Sequence, residues 1–135
     1  NNVYEYYLSC LRAGETLDRV LPRDARIVVG DLDENSDAPS RAQNPSLLYY
    51  SHRKGWQITP AQFERSRLAA LKDLGATHFV TATRFAMQSQ LWEDLLEMGV
   101  STPSSYPSKV HSQRELMQRM RKESGLDRHF LIVSL

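Results

Sequence analysis

From residue 59 to residue 99 the chain alternates capped helical patterns, glycines and a β-prone run, and this order constrains the fold more than any other feature. Thr59 can cap a helix whose first position suits Pro60, and Phe63, Leu68, Leu71 and Leu74 make much of an apolar stripe that stops at Gly75. Thr77 to Ala82, centred on His78-Phe79-Val80, has the composition of a strand. Phe85 to Met98 predicts a further helix with Leu91, Trp92, Leu95 and Met98 turned to the core and Gly99 as its stop. Helix, strand and helix in that order imply a right-handed βαβ unit and a parallel sheet.

The flanking segments extend the same theme. Val3, Tyr6, Tyr7, Cys10, Leu11, Leu17, Val20 and Leu21 fall near helical spacing, with Gly14 as a weak point and Pro22 as the end. Ala25 to Gly30, with Ile27-Val28-Val29 at its centre, reads as a buried strand. Residues 31–44 form a polar loop. The run Leu47-Leu48-Tyr49-Tyr50 reads as a short buried strand, and His52-Arg53-Lys54-Gly55-Trp56 as the basic loop leaving it. Residues 100–110 hold Pro103, Pro107 and several serines and allow only a short or interrupted strand. Ser112 and Glu115 match a capping box opening a third helix that ends by Gly125, and His129 to Leu135 close the chain as a strand. The expected fold is a three-layer α/β/α sandwich in one domain spanning 1–135, with a mainly parallel, Rossmann-like sheet of about four or five strands.

The totals exclude several functions. Of 135 residues, 17 are Lys or Arg and 16 are Asp or Glu, so the formal charge of +1 argues against nucleic acid or another general polyanion as partner. No apolar run approaches the roughly 20 residues that cross a bilayer. Cys10 is the single cysteine, which rules out an internal disulfide and a cysteine-based zinc site and leaves a small buried hydrophobe. The chain begins at Asn1 and carries no targeting motif, so a fragment cut from a larger protein is expected.

Local motifs offer little catalysis. Asp31 and Asp33 follow a buried strand and could hold Mg²⁺ or accept a phosphoryl group, but the residues expected beside them are missing, and acidic turn formers are the simpler reading. Gly30 to Glu34 lacks the spacing of a dinucleotide fingerprint or a phosphate loop. His52, His78, His111 and His129 show no helical metal-ligand spacing, and no nucleophile elbow surrounds a serine. No cofactor or metal is expected. The remaining candidate is the cationic turn: His52, Arg53 and Lys54 to bind an anion, with Trp56 and one of Tyr49 or Tyr50, here Tyr50, as flat apolar surface. Its plainer alternative is a solvated basic turn beside buried aromatics.

The run from Leu47 to Trp56, with Leu-Tyr-Tyr followed two residues later by Arg-Lys-Gly-Trp, resembles the C-terminal soluble domain of bacterial membrane glycosyltransferases of family 39, similar to dolichyl-phosphate-mannose protein mannosyltransferases. The order of the neighbouring segments agrees, from Leu21-Pro22 and Ile27-Val28-Val29 through Leu74-Gly75-Ala76 and Thr77 to Val80, to the closing Phe130 to Leu135. Residues 101–111 depart from it, being more polar and richer in proline than expected. The resemblance implies a non-catalytic accessory domain on the periplasmic or extracellular side of a membrane. Its partners would be the transmembrane part of the same parent chain and a polyprenyl-phosphate sugar or membrane headgroups. The family's catalytic acids lie outside such a domain, and none is carried over here. Two other readings stand beside it: a stand-alone ligand-binding or protein-interaction module, and a metal-dependent phosphotransfer or hydrolase domain using Asp31 and Asp33.

Overall fold

A computed structural model describes residues 2–30 and 46–135. The elements are helix α1 (Asn2–Val20), strand β1 (Arg26–Val29), helix α2 (Ser46–Ser51), strand β2 (Lys54–Gln57), a 3₁₀ turn (Pro60–Gln62), helix α3 (Arg65–Asp73) and strand β3 (His78–Ala82). Helices α4 (Thr83–Gln88), α5 (Trp92–Met98) and α6 (Gln113–Met120), a second 3₁₀ turn (Gly125–Arg128) and strand β4 (Phe130–Ser134) complete them. Asp31 and Asp33 lie outside the described residues.

The four strands form one sheet in the order β2-β1-β3-β4. β1 pairs in parallel with both β2 and β3, while β4 runs antiparallel to β3. The sheet is therefore mixed, where a mainly parallel one was expected. Local sequence marks β4 as a strand but carries no direction, because direction depends on which side of the sheet the preceding connection returns to.

Alternation along the strands builds a core on each face. Ile27, Val29, Val80, Phe130 and Ile132 bury one face together with Ala13 and Leu17 of α1 and Leu47 of α2. Val28, Phe79, Leu131 and Val133 bury the other against Phe63, Leu68, Leu95 and Leu116, with Phe63 and Phe79 edge-to-face at 5.4 Å. Each fully buried side chain of this kind contributes about 1.5–3 kcal/mol. All five residues of β3 are buried, as suits a strand covered on both faces.

The largest departure from expectation is at 46–57. Leu47 to Tyr50, read as a strand, is the helix α2, and Lys54 to Gln57, read as a loop, is edge strand β2. Of the short apolar run only Leu47 is fully buried, and Tyr49 is 75% exposed, a one-sided pattern that a helix provides and a buried strand does not. Tyr49 and Tyr50 consequently sit edge-to-face at 5.3 Å on one helix. The helix is stabilised by α1: a Cβ at Gly14 would overlap Tyr50 Cβ, so glycine lets the two backbones cross closely, and α1 runs through that position unbroken.

Other boundaries shift for local reasons. The helix expected from Pro60 to Leu74 splits into a 3₁₀ turn and α3, and Leu74 faces water at 64% exposure. The helix expected from Phe85 to Met98 breaks at Ser89, whose hydroxyl donates to the Ala86 carbonyl and accepts from the Leu91 amide. That local bonding competes with the helical ladder. Residues 100–110 contribute only isolated bridges, Val100 to Val110 and Ser101 to Ile132. Ser112 caps α6 by accepting from the Glu115 amide as expected, but α6 ends at Met120, before Gly125. Cys10 is 2% exposed within α1, in line with its reading as a buried hydrophobe.

Candidate functional site

Strand alternation divides the cationic turn between two places. Arg53, just before β2, turns to α1 through its hydrogen bonds to Asp18, Leu21 and Pro22, whereas Lys54 and Trp56 lie on the face of β2 paired with Arg26 and Val28, so the cluster is divided between two places.

Arg53 is an internal clamp. Its side chain is 1% exposed and its Nη1 donates to Asp18 Oδ1 at 2.6 Å. The remaining donors reach the carbonyls of Pro22 (2.9 Å), Leu21 (2.9 Å), Asp18 (3.3 Å) and Ser51 (2.8 Å). One planar fork thus satisfies carbonyls at the ends of α1 and α2, where the helix dipoles favour a cation. His52 takes a left-handed conformation (φ 55°) just past α2. Its amide donates to the Tyr49 carbonyl at 3.1 Å and that of Arg53 to the Leu48 carbonyl at 3.2 Å, which is a Schellman closure with histidine in the usual glycine position. The His52 ring lies 3.1 Å from Asp18 Oδ2, and Arg23 stands 3.7 Å from Asp18 Oδ1. Hydrogen bonds from Arg53 and then His52 hold the Asp18 carboxyl below its usual pKa. Nothing local to Asp18 in the sequence signals this role, because its partner lies 35 residues away.

Lys54 and Trp56 meet a residue that sequence reasoning missed. Arg26 of β1 is the register partner of Lys54, and its guanidinium lies 5.1 Å from the Trp56 ring centroid. Two exposed cations directly opposed across strands repel by a few tenths of a kcal/mol to about 1 kcal/mol, and stacking on Trp56 offsets part of that. The arrangement is an open, cationic strip on the edge of the sheet with one aromatic wall, able to receive an anionic oxygen.

A second polar group lies in the interior. His78 of β3, 6% exposed, contacts Tyr106 Oη through Nε2 at 2.8 Å and Thr77 Oγ1 through Nδ1 at 2.7 Å. Burial is the main cause that lowers the His78 pKa below 6.5, with Lys109 acting the same way and Asp24 opposing. The unfolded chain therefore binds a proton at His78 more readily than the folded one. The stability contributed by the neutral ring is complete above pH 6.5 and is lost as pH falls from there toward the lowered native value. Urea midpoints should drop between pH 7.5 and 5, and His78→Gln should flatten that dependence; an unaltered slope in the variant would assign it to other groups.

An open cavity of about 410 Å³ lies beside α4, α6 and the turn before β4, with Thr83, Arg84, Met87, Met117, Arg128 and His129 among its lining residues. Among the described residues, no three His, Cys, Asp or Glu side chains gather as a metal-holding group, and no helix is long and apolar enough to cross a membrane. The chain matches no family model, no curated protein and no solved structure.

Proposed function

We propose that this chain is a soluble accessory domain of an integral-membrane glycosyltransferase that moves a sugar from a polyprenyl-phosphate donor, and that it contributes placement and not bond-making. The resemblance of Leu47 to Trp56 to the family 39 C-terminal domain motivates the reading. The observation that carries it is the strip of exposed Arg26 and Lys54 beside half-buried Trp56, where two cations and an aromatic wall lie together at one sheet edge. Phosphate oxygens of a polyprenyl-phosphate sugar or of membrane headgroups meet the chemical demand of such a strip. The domain would sit on the periplasmic or extracellular side, beside the transmembrane part of the same parent chain. We read its architecture as a reduced three-layer α/β/α, Rossmann-like sandwich, supported by the parallel β2-β1-β3 segment and by cores on both faces of the sheet.

Flotation of the chain with neutral phosphatidylcholine vesicles, with and without polyprenyl phosphate, tests the proposal. Binding should require the phosphate lipid. The double variant Arg26→Ala with Lys54→Ala should weaken it roughly 30-fold, at about 1 kcal/mol per cation near the surface. Its stability should change by no more than about 1 kcal/mol, since both side chains are exposed. Equal flotation of variant and parent would remove the strip from the function. A parent reading frame without membrane helices would sink the transferase reading itself.

A further inference from the structure

We infer that the cavity beside α4 and α6 is a binding site for a monomeric organic anion with an apolar body, such as a medium-chain carboxylate or alkyl phosphate. The site is separate from the Arg26–Lys54–Trp56 strip and does not depend on the transferase reading. Three observations converge on it. Its volume, about 410 Å³, falls in the range of small-molecule sites, roughly 300–1,000 Å³. Its lining combines Met87, Met117 and Met120, flexible and polarizable side chains that adapt to irregular apolar ligands, with Arg84, Arg128 and His129 and no acidic residue. Thr83, also in the lining, is 4% exposed, and its Oγ1 is buried without a hydrogen-bond partner among the described residues.

Each feature has a physical consequence. A buried hydroxyl without a partner costs about 1–3 kcal/mol, and a ligand oxygen reaching the inner wall would relieve it. Arg84 lines the cavity and is exposed, which places a cationic side chain at its solvent side. Arg128 is oriented by its Nε, which donates to the Glu123 carbonyl at 2.6 Å. The Thr83 amide donates to the His129 carbonyl at 2.8 Å, tying the start of α4 to the turn before β4 and giving the cavity a fixed wall. An anionic head between the arginines and an apolar tail over the methionines satisfies both halves of this lining. A neutral hydrocarbon would leave the arginines unused, and inorganic phosphate would leave the methionines uncovered.

The methionines themselves supply the assay. The chain has four, Met87, Met98, Met117 and Met120, and all but Met98 line the cavity. Decyl phosphate, decanoate and decanol, each kept below its aggregation concentration, are titrated into protein carrying ¹³C-methyl methionine. Saturable shifts of Met87, Met117 and Met120 with a stationary Met98 are expected for the two anions, and the stronger of them identifies the preferred head. Arg84→Ala should weaken that binding roughly tenfold, the worth of one charge-assisted contact, with an unchanged melting temperature. Decanol binding as tightly as the anions, an Arg84→Ala variant that binds equally well, shifts of all four methyls together, or no shift with any probe would each overturn the assignment.

Discussion

Arg53→Ala should lose about 3–5 kcal/mol of folding stability, because removing the buried guanidinium takes a donor from several helix-end carbonyls, at about 1–3 kcal/mol for each that water does not reach. A domain of this size has only about 5–15 kcal/mol in total, so the variant should melt roughly 10 °C or more below the parent. The cause is local and specific. Without the guanidinium, the Leu21 and Ser51 carbonyls lose this donor, the Pro22 carbonyl keeps only the Ala25 amide, and Asp18 loses its closest cation. Of the polar ties between the ends of α1 and α2, the His52–Asp18 contact remains among the described residues, and it is exposed. Arg53→Lys should recover only part of the loss, since a single ammonium cannot span the same set of acceptors. Urea denaturation of the three proteins measures this, and a loss below about 1 kcal/mol for Arg53→Ala would mean that the clamp is not structural. The same geometry makes Arg53 a poor probe of ligand binding: its removal would lower any activity through unfolding, which is why the vesicle experiment uses Arg26 and Lys54.

Gly55→Ala should be comparably severe for a different reason. A Cβ at Gly55 would overlap the Ile27 carbonyl oxygen and lie within 2.7 Å of its carbon and 2.8 Å of the Ile27 nitrogen. These are backbone atoms of the paired strand, which cannot rotate aside as a side chain would. β2 must separate from β1 or the register must slip, and a one-residue slip would exchange the faces of Lys54, Trp56 and their neighbours. We expect a loss of about 3 kcal/mol or more, the upper end of overpacking effects. Trp56 fluorescence should change with it, because the ring loses the Arg26 guanidinium above it. A variant with parental urea midpoint and emission would show that the two backbones are farther apart than described.

The most distinctive stretch of the sequence departs from its local expectation for reasons that lie mostly outside it. Leu47-Leu48-Tyr49-Tyr50 is too short for its period to separate a strand from a helix, and its β-prone tyrosines favoured the wrong one. What made it helical was distant: Gly14 admits the close crossing with α1, and Arg53 caps both helix ends. The basic triplet is contiguous in sequence and divided in space, with Arg53 at the ends of α1 and α2 and Lys54 on the exposed edge. Arg53 precedes β2 and Lys54 opens it, and alternation across that step turns their side chains to opposite faces. Arg26, Arg84 and Asp18 had no local mark at all, since each acquires its role from a neighbouring strand, a cavity or a helix end.

By itself the sequence determined the α/β class, the positions of β1, β3 and β4, the burial of Cys10 and the cap at Ser112, because each of these depends on propensity and patterning within a few residues. Tertiary structure alone decided the antiparallel β4, the helical state of Leu47 to Tyr50, the strand at Lys54 to Gln57 and the separation of the cationic turn into an internal clamp and an exposed edge. Those outcomes depend on contacts between residues tens of positions apart. Their energies, the hydrogen bonds of a buried guanidinium and a backbone-to-backbone approach among them, exceed the few tenths of a kcal/mol by which local preferences of a short segment differ.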